Sequence, residues 1–214
     1  MSDTSIAAGG PRSTKRITDP KVLRALAHPI RMSLIGLLRT QGPVTATRAA
    51  ELLGESSAST SFHLRQLAKY GMAEEAPGGH GRERPWRATT MSTDVPDLAD
   101  DPDFAAASSQ FRVVLARRYF YWLMQWLADR PSEPAEWRRA DMFGDKLLYL
   151  TSAELEDLGT KVRELFDDYA DRTGNPELRP EDARLVTVLQ LAFPMIGPPI
   201  GPSGEGSGQG GDGR

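Results

Sequence analysis

The chain has 214 residues, 39% hydrophobic and 26% charged, with a formal net charge of −3 and no cysteine. That suits a globular protein of one or two domains; it excludes disulfides, thiolate metal sites and a cysteine nucleophile, and the lack of any 18-residue apolar run excludes a membrane-spanning helix. The charge is uneven: residues 1–18 carry +2, residues 19–90 carry +4 and residues 91–214 carry −9, so only the amino-terminal part has the sign that suits a polyanionic partner.

Residues 1–18 are polar, lack apolar periodicity and have no hydrophobic leader; they predict a disordered arm and a cytoplasmic protein. Asp19-Pro20 is a cap followed by a first-turn proline, and Val22, Leu23, Leu26 and Ala27 continue with helical spacing. His28-Pro29 interrupts it. A second helix follows on Ile30, Leu34, Ile35, Leu37 and Leu38, and Gly42-Pro43 ends it. Thr45 caps a short third helix with Ala49, Leu52 and Leu53 inward, and Gly54 stops that one. Ser56 caps a fourth helix that runs to about Tyr70 before Gly71, with Thr60, Leu64 and Leu67 at i, i+4 and i+7 on its core side. Residues 72–76 and 82–89, around the bend at Gly78, Gly79 and Gly81, predict a hairpin. Three helices, a tight turn, a helix and a hairpin make a winged helix-turn-helix over residues 19–90.

The outward residues of the fourth helix are mostly small, as a helix entering a major groove requires. The candidate DNA contacts are Thr45, Ser56, Ser57, Ala58, Ser59, Ser61, Phe62, His63 and Arg65, with Arg82 and Arg84 on the hairpin. Serine hydroxyls and the free N–H groups of the helix start suit base edges and phosphates; the two arginines, at alternate positions of one strand, suit a neighbouring minor groove or backbone. Of the histidines, His28 reads as structural, His63 as half-buried or facing a phosphate, and His80 as an exposed tip. Their scatter has no ligand spacing, so neither a metal nor another cofactor is expected.

The runs Leu26-Ala27-His28-Pro29-Ile30-Arg31, Ala49-Ala50-Glu51-Leu52-Leu53-Gly54 and Ser61-Phe62-His63-Leu64-Arg65-Gln66-Leu67 resemble those of ArsR-type winged-helix regulators over about residues 20–90. The resemblance implies a homodimeric cytoplasmic regulator, commonly a repressor that an effector releases from double-stranded DNA. The metal-sensing branch of that family carries a cysteine pair in its third helix. Residues 45–54 here carry none, and no histidine follows His80, which points to the branch that does not sense metal.

Residues 91–101 read as a linker and residues 102–194 as a helical dimerisation and effector region, which makes the fold mainly α (α+β) overall. A helix over 102–130 carries Phe111, Leu115, Tyr119, Trp122 and Trp126, aromatic-rich as subunit interfaces are, and these are the candidate homodimer contacts. Residues 146–150 and 184–193 predict strands flanking a helix that opens with the capping box Thr151/Glu154, a small strand–helix–strand unit. Residues 195–214 read as a disordered tail. The effector, a small molecule or a protein, has no recognisable motif. Ser59 and His63 lie four apart, but with no carboxylate to orient the histidine and no phosphate loop, an enzyme is not expected. The competing reading is a winged-helix module that binds protein instead of DNA.

Overall fold

A computed structural model describes residues 13–79, 84–96 and 100–197. The first region follows the punctuation of the sequence. Helix α1 (Pro20–Leu26) starts under Asp19, whose carboxylate accepts from Lys21 N, and α2 (Pro29–Gln41) starts at the second proline and ends at Gly42. Helix α3 (Ala46–Leu53) follows β2 (Val44–Thr45) and closes at Gly54, whose φ of +67° is left-handed backbone that glycine adopts without strain. Three residues on, α4 (Ser57–Lys69) begins. Leu23, Leu26, Leu34, Ile35, Leu38, Leu64, Leu67 and Met72 close on one another as one core. Each fully buried leucine is worth about 1.5–3 kcal/mol of transfer free energy.

The hairpin is β3 (Ala73–Glu75) against β4 (Pro85–Ala88), antiparallel, with Glu74 opposite Arg87; β2 pairs with the other edge of β4. Its strands fall within the expected 72–76 and 82–89, of which residues 82 and 83 lie outside the described residues. Pro85 has no N–H to give to a ladder, so the second strand starts there.

Two expectations need correction. The arm assigned to residues 1–18 is ordered from Thr14: β1 (Thr14–Arg16) pairs in parallel with β5 (Ser92–Asp94), which itself lies inside the stretch expected to be a linker. The anchor is Ile17, 2% exposed in the core, a lone apolar residue that shows no periodicity in sequence. The expected strands at 146–150 and 184–193 are also absent. Neither stretch has a ladder partner among the described residues, and β-propensity without a partner does not make a strand.

Helix α5 (Pro102–Asp129), 28 residues and so about 42 Å long, is docked by its first turns. Phe104, Ala107, Ser108 and Phe111 at i, i+3, i+4 and i+7 are buried, and Arg24 of α1 pairs with Asp103. Farther along, Arg118 donates to Met32 O (2.7 Å) and lies over the Trp122 ring at 4.2 Å; Gly36 leaves room for that guanidinium. Helices α6 (Ala135–Ala140) and α7 (Ser152–Gly174) follow. Their corners are held by charge: Arg130 on Asp141 (2.7 Å) and Arg184 on both carboxylate oxygens of Glu133 (2.6 and 3.0 Å). A compact unit ends at Arg184, short of the expected boundary at 194. Residues 185–197, taken by themselves, have neither helix nor strand.

Candidate nucleic-acid interface

Helix α4 is fixed from three sides. At its start, Ser56 Oγ accepts from Ser59 N–H at 3.1 Å, and such a cap is worth about 1 kcal/mol. Along its inner face, Thr60, Leu64 and Leu67 are buried. At its end, Lys15 from β1 donates to the carbonyls of Gly71 (2.7 Å) and Tyr70 (3.4 Å), a cation on the negative end of the helix dipole. What remains outward is Ser57, Ala58, Phe62, Arg65 and Lys69. Ala58, Phe62, Arg65 and Lys69 stand at i, i+4, i+7 and i+11, one stripe along the helix. Phe62 is 50% exposed, a large ring without a core to fill.

The expected DNA contacts therefore separate. Ser57, Ala58, Phe62 and Arg65 share the outward face, and Ser59 and Ser61 are half-buried beside it. The hydroxyls of Ser56 and Thr45 are spent as caps, Thr45 Oγ1 accepting from Arg48 N–H at 3.2 Å. Arg84 is exposed just before β4, whereas Arg82 lies outside the described residues. Lys69 was not foreseen; counting eleven residues on from Ala58 finds it.

His63 is turned inward, which removes it from the groove-facing set. Its ring centre lies 4.5 Å from that of His28, the residue that begins α2, and Nδ1 of each is buried without a hydrogen-bond partner. Burial, and then the nearby Arg31 charge, lower the proton affinity of both rings, against a smaller opposing pull from Glu55. The pair joins the α1–α2 corner to α4 as two neutral rings in contact.

The expected homodimer contacts are also redistributed. Phe111 belongs to the core of its own chain, so it is not free for a partner. Leu115, Tyr119, Trp122 and Trp126 are half-buried on that same side of α5, with Trp126 Nε1 donating to Asp141 at 3.3 Å. The opposite side of α5 carries Val113, Phe120, Met124 and Leu127, all exposed, Phe120 at 64%. Helix α7 has a matching outward stripe of Leu158, Leu165 and Tyr169. A periodicity count cannot tell these two sides of α5 apart, because both are apolar.

Residues 26–76 match the family described as Helix-turn-helix domain. That span runs from the end of α1 through α4 to β3. No curated protein matches the chain. Solved structures similar to it include a mutant of Lactococcus lactis ZitR in apo form, at 14% identity over 67% of this chain and 83% of that one, with a TM-score of 0.30. The PcaV transcriptional regulator from Streptomyces coelicolor in complex with its natural ligand is similar at 12% identity, 65% and 74% coverage and 0.29. A mutant of S. aureus MepR bound to an oligodeoxyribonucleotide is similar at 12%, 69% and 86%, and 0.28. Among the described residues no three His, Asp or Glu side chains form a metal-ligating group, and no helix is long and apolar enough to cross a membrane.

Proposed function

We propose that this chain is a transcriptional regulator of the ArsR-like, non-metal-sensing kind, a homodimeric repressor that binds double-stranded DNA through α4 and the hairpin. The observation that carries the reading is the outward stripe of α4. It is a capped helix whose free face combines one hydroxyl, one methyl, one aromatic ring and two cations, within a span that matches a helix-turn-helix domain. Ser57, Ser61 and Arg65 address base edges, Ala58 and Phe62 meet thymine methyl groups, and Lys69 and Arg84 meet phosphates. The exposed stripes on α5 and α7 supply the surface for a second copy, which would set two α4 helices against two half-sites.

The experiment is selection of duplexes from a random library on the purified protein, followed by fluorescence anisotropy on the enriched sequence and on a random duplex. The expected result is enrichment of a two-fold symmetric, T-containing site. Arg65→Ala then lowers affinity for that site more than for random duplex, by about 1–3 kcal/mol per base contact. Failure of the wild type to enrich or retain any duplex would sink the DNA reading in favour of a protein-binding module.

A further inference from the structure

Beside the outward stripe of α4 lies an open hollow of about 230 Å³ between α1, α2 and α4, lined by Lys21, Arg24, Ala25, Arg31, Gln66 and Tyr70. Its lining contains three cations and two neutral hydrogen-bonding side chains, and no carboxylate. The cations are not equivalent. Arg24 is tied to Asp103 of α5, so its charge is already met. Among the described residues Arg31 spends only its Nε, on the carbonyl of Ala25, which holds the guanidinium in place and leaves both terminal nitrogens without a partner there. No hydrogen bond or ion pair engages Lys21 Nζ, the Gln66 amide or the Tyr70 hydroxyl among the described residues.

We propose that this hollow seats a phosphate group. A carboxylate is satisfied by a single cationic partner, as Asp103 is by Arg24. Donors spread over three helices suit instead a tetrahedral group that accepts from several directions. Position argues for the source. Gln66 and Tyr70 follow Arg65 and Lys69 directly in sequence, so they lie about a quarter turn round α4 from the stripe. The cations of the stripe thus continue into the hollow, along the course of a DNA backbone beside the groove that α4 occupies. This placement rests on the reading of α4 as the groove-facing helix, whereas the phosphate chemistry of the hollow does not. A soluble phosphate ester has the same chemistry, and the test separates the two.

The test compares the wild type with Lys21→Gln, an exposed site whose loss leaves the fold intact, and with Arg31→Gln, checked by thermal melting. Anisotropy is measured on the enriched and random duplexes at several salt concentrations, and inorganic phosphate is titrated calorimetrically without DNA. If the seat holds backbone phosphate, each variant weakens both duplexes by the same factor and flattens the plot of log affinity against log salt by about 0.9 per phosphate lost. If it serves a soluble ester, the salt slope stays, and the wild type binds inorganic phosphate that Lys21→Gln does not. An unchanged slope together with no difference in phosphate binding would overturn the proposal. A wild type that binds phosphate through Lys21 but no duplex would keep the seat and refute the DNA reading of α4.

Discussion

Up to Phe111 the chain sends most of its large apolar side chains inward, Leu52 and Phe62 excepted, into one core shared by α1 to α4, the hairpin and the first turns of α5. From residue 112 to 184 no described side chain is fully buried, and Phe120, Tyr149, Leu165 and Tyr169 among others stand in solvent. A region of the first kind is stabilised by its own packing. One of the second kind, with ion pairs at its corners and rows of exposed apolar groups, gains most by covering those rows with something else. Under the proposed homodimer, the difference places stability in the first region and association in the second.

The sharpest way to break that comparison is a core truncation. Phe104→Ala should lower the free energy of unfolding by about 3–5 kcal/mol in urea titration, even though Phe104 lies on the helix assigned to association. A loss below about 1 kcal/mol would mean that α5 is not anchored as described. Next in size is the outward stripe. Phe120→Ala with Met124→Ala should leave urea unfolding of the first region unchanged while weakening self-association by about 2 kcal/mol or more, read by sedimentation velocity. A double variant as dimeric as the wild type would move the interface to α7 or to the Trp122 side.

The histidine pair tests the first region from within. Both rings are harder to protonate when folded than in the unfolded chain, where histidine titrates near 6.5. The unfolded state therefore takes up protons first, so stability is full above about pH 7 and falls as pH drops below about 6.5. The carboxylates lowered by their partners, Asp141 and Glu133, titrate below this window. The urea midpoint should decrease between pH 7.5 and 5.5, and His63→Leu should flatten the decrease; an equal slope in the variant would exclude the pair as its source. The smallest expected effect is that of Lys15→Ala, about 0.3–1 kcal/mol from a cation lost at a helix end, measurable as a lower thermal midpoint.

The elements of the first region were legible because each carries its own punctuation: Asp19-Pro20, Gly42-Pro43, Thr45, Gly54, Ser56 and Gly71 all fall where helices start or stop. The parallel pair β1–β5 was not, since three residues such as Thr14-Lys15-Arg16 carry no pattern and a pairing across 78 residues leaves no local trace. Residues 146–150 failed in the opposite sense: their composition favours a strand, but a ladder is a property of two segments. In the candidate site, the stripe of α4 followed from helical spacing, whereas the turn of His63 toward His28 depended on a contact between separate helices.

The pairing of β1 with β5 also has a consequence for how the molecule is made. Thr14 and Ser92 meet across 78 residues, a long loop to close for a short ladder, and non-local pairings of this kind form late. At a synthesis rate of about 5–20 residues per second, β1 waits roughly 4–16 s on the ribosome before its partner exists. During that interval the helices of the first region have their local signals and much of their core, but Lys15 has no strand to hold it against the end of α4. Until β5 is made, the carboxy-terminal end of α4 therefore lacks the cation that Lys15 brings to it.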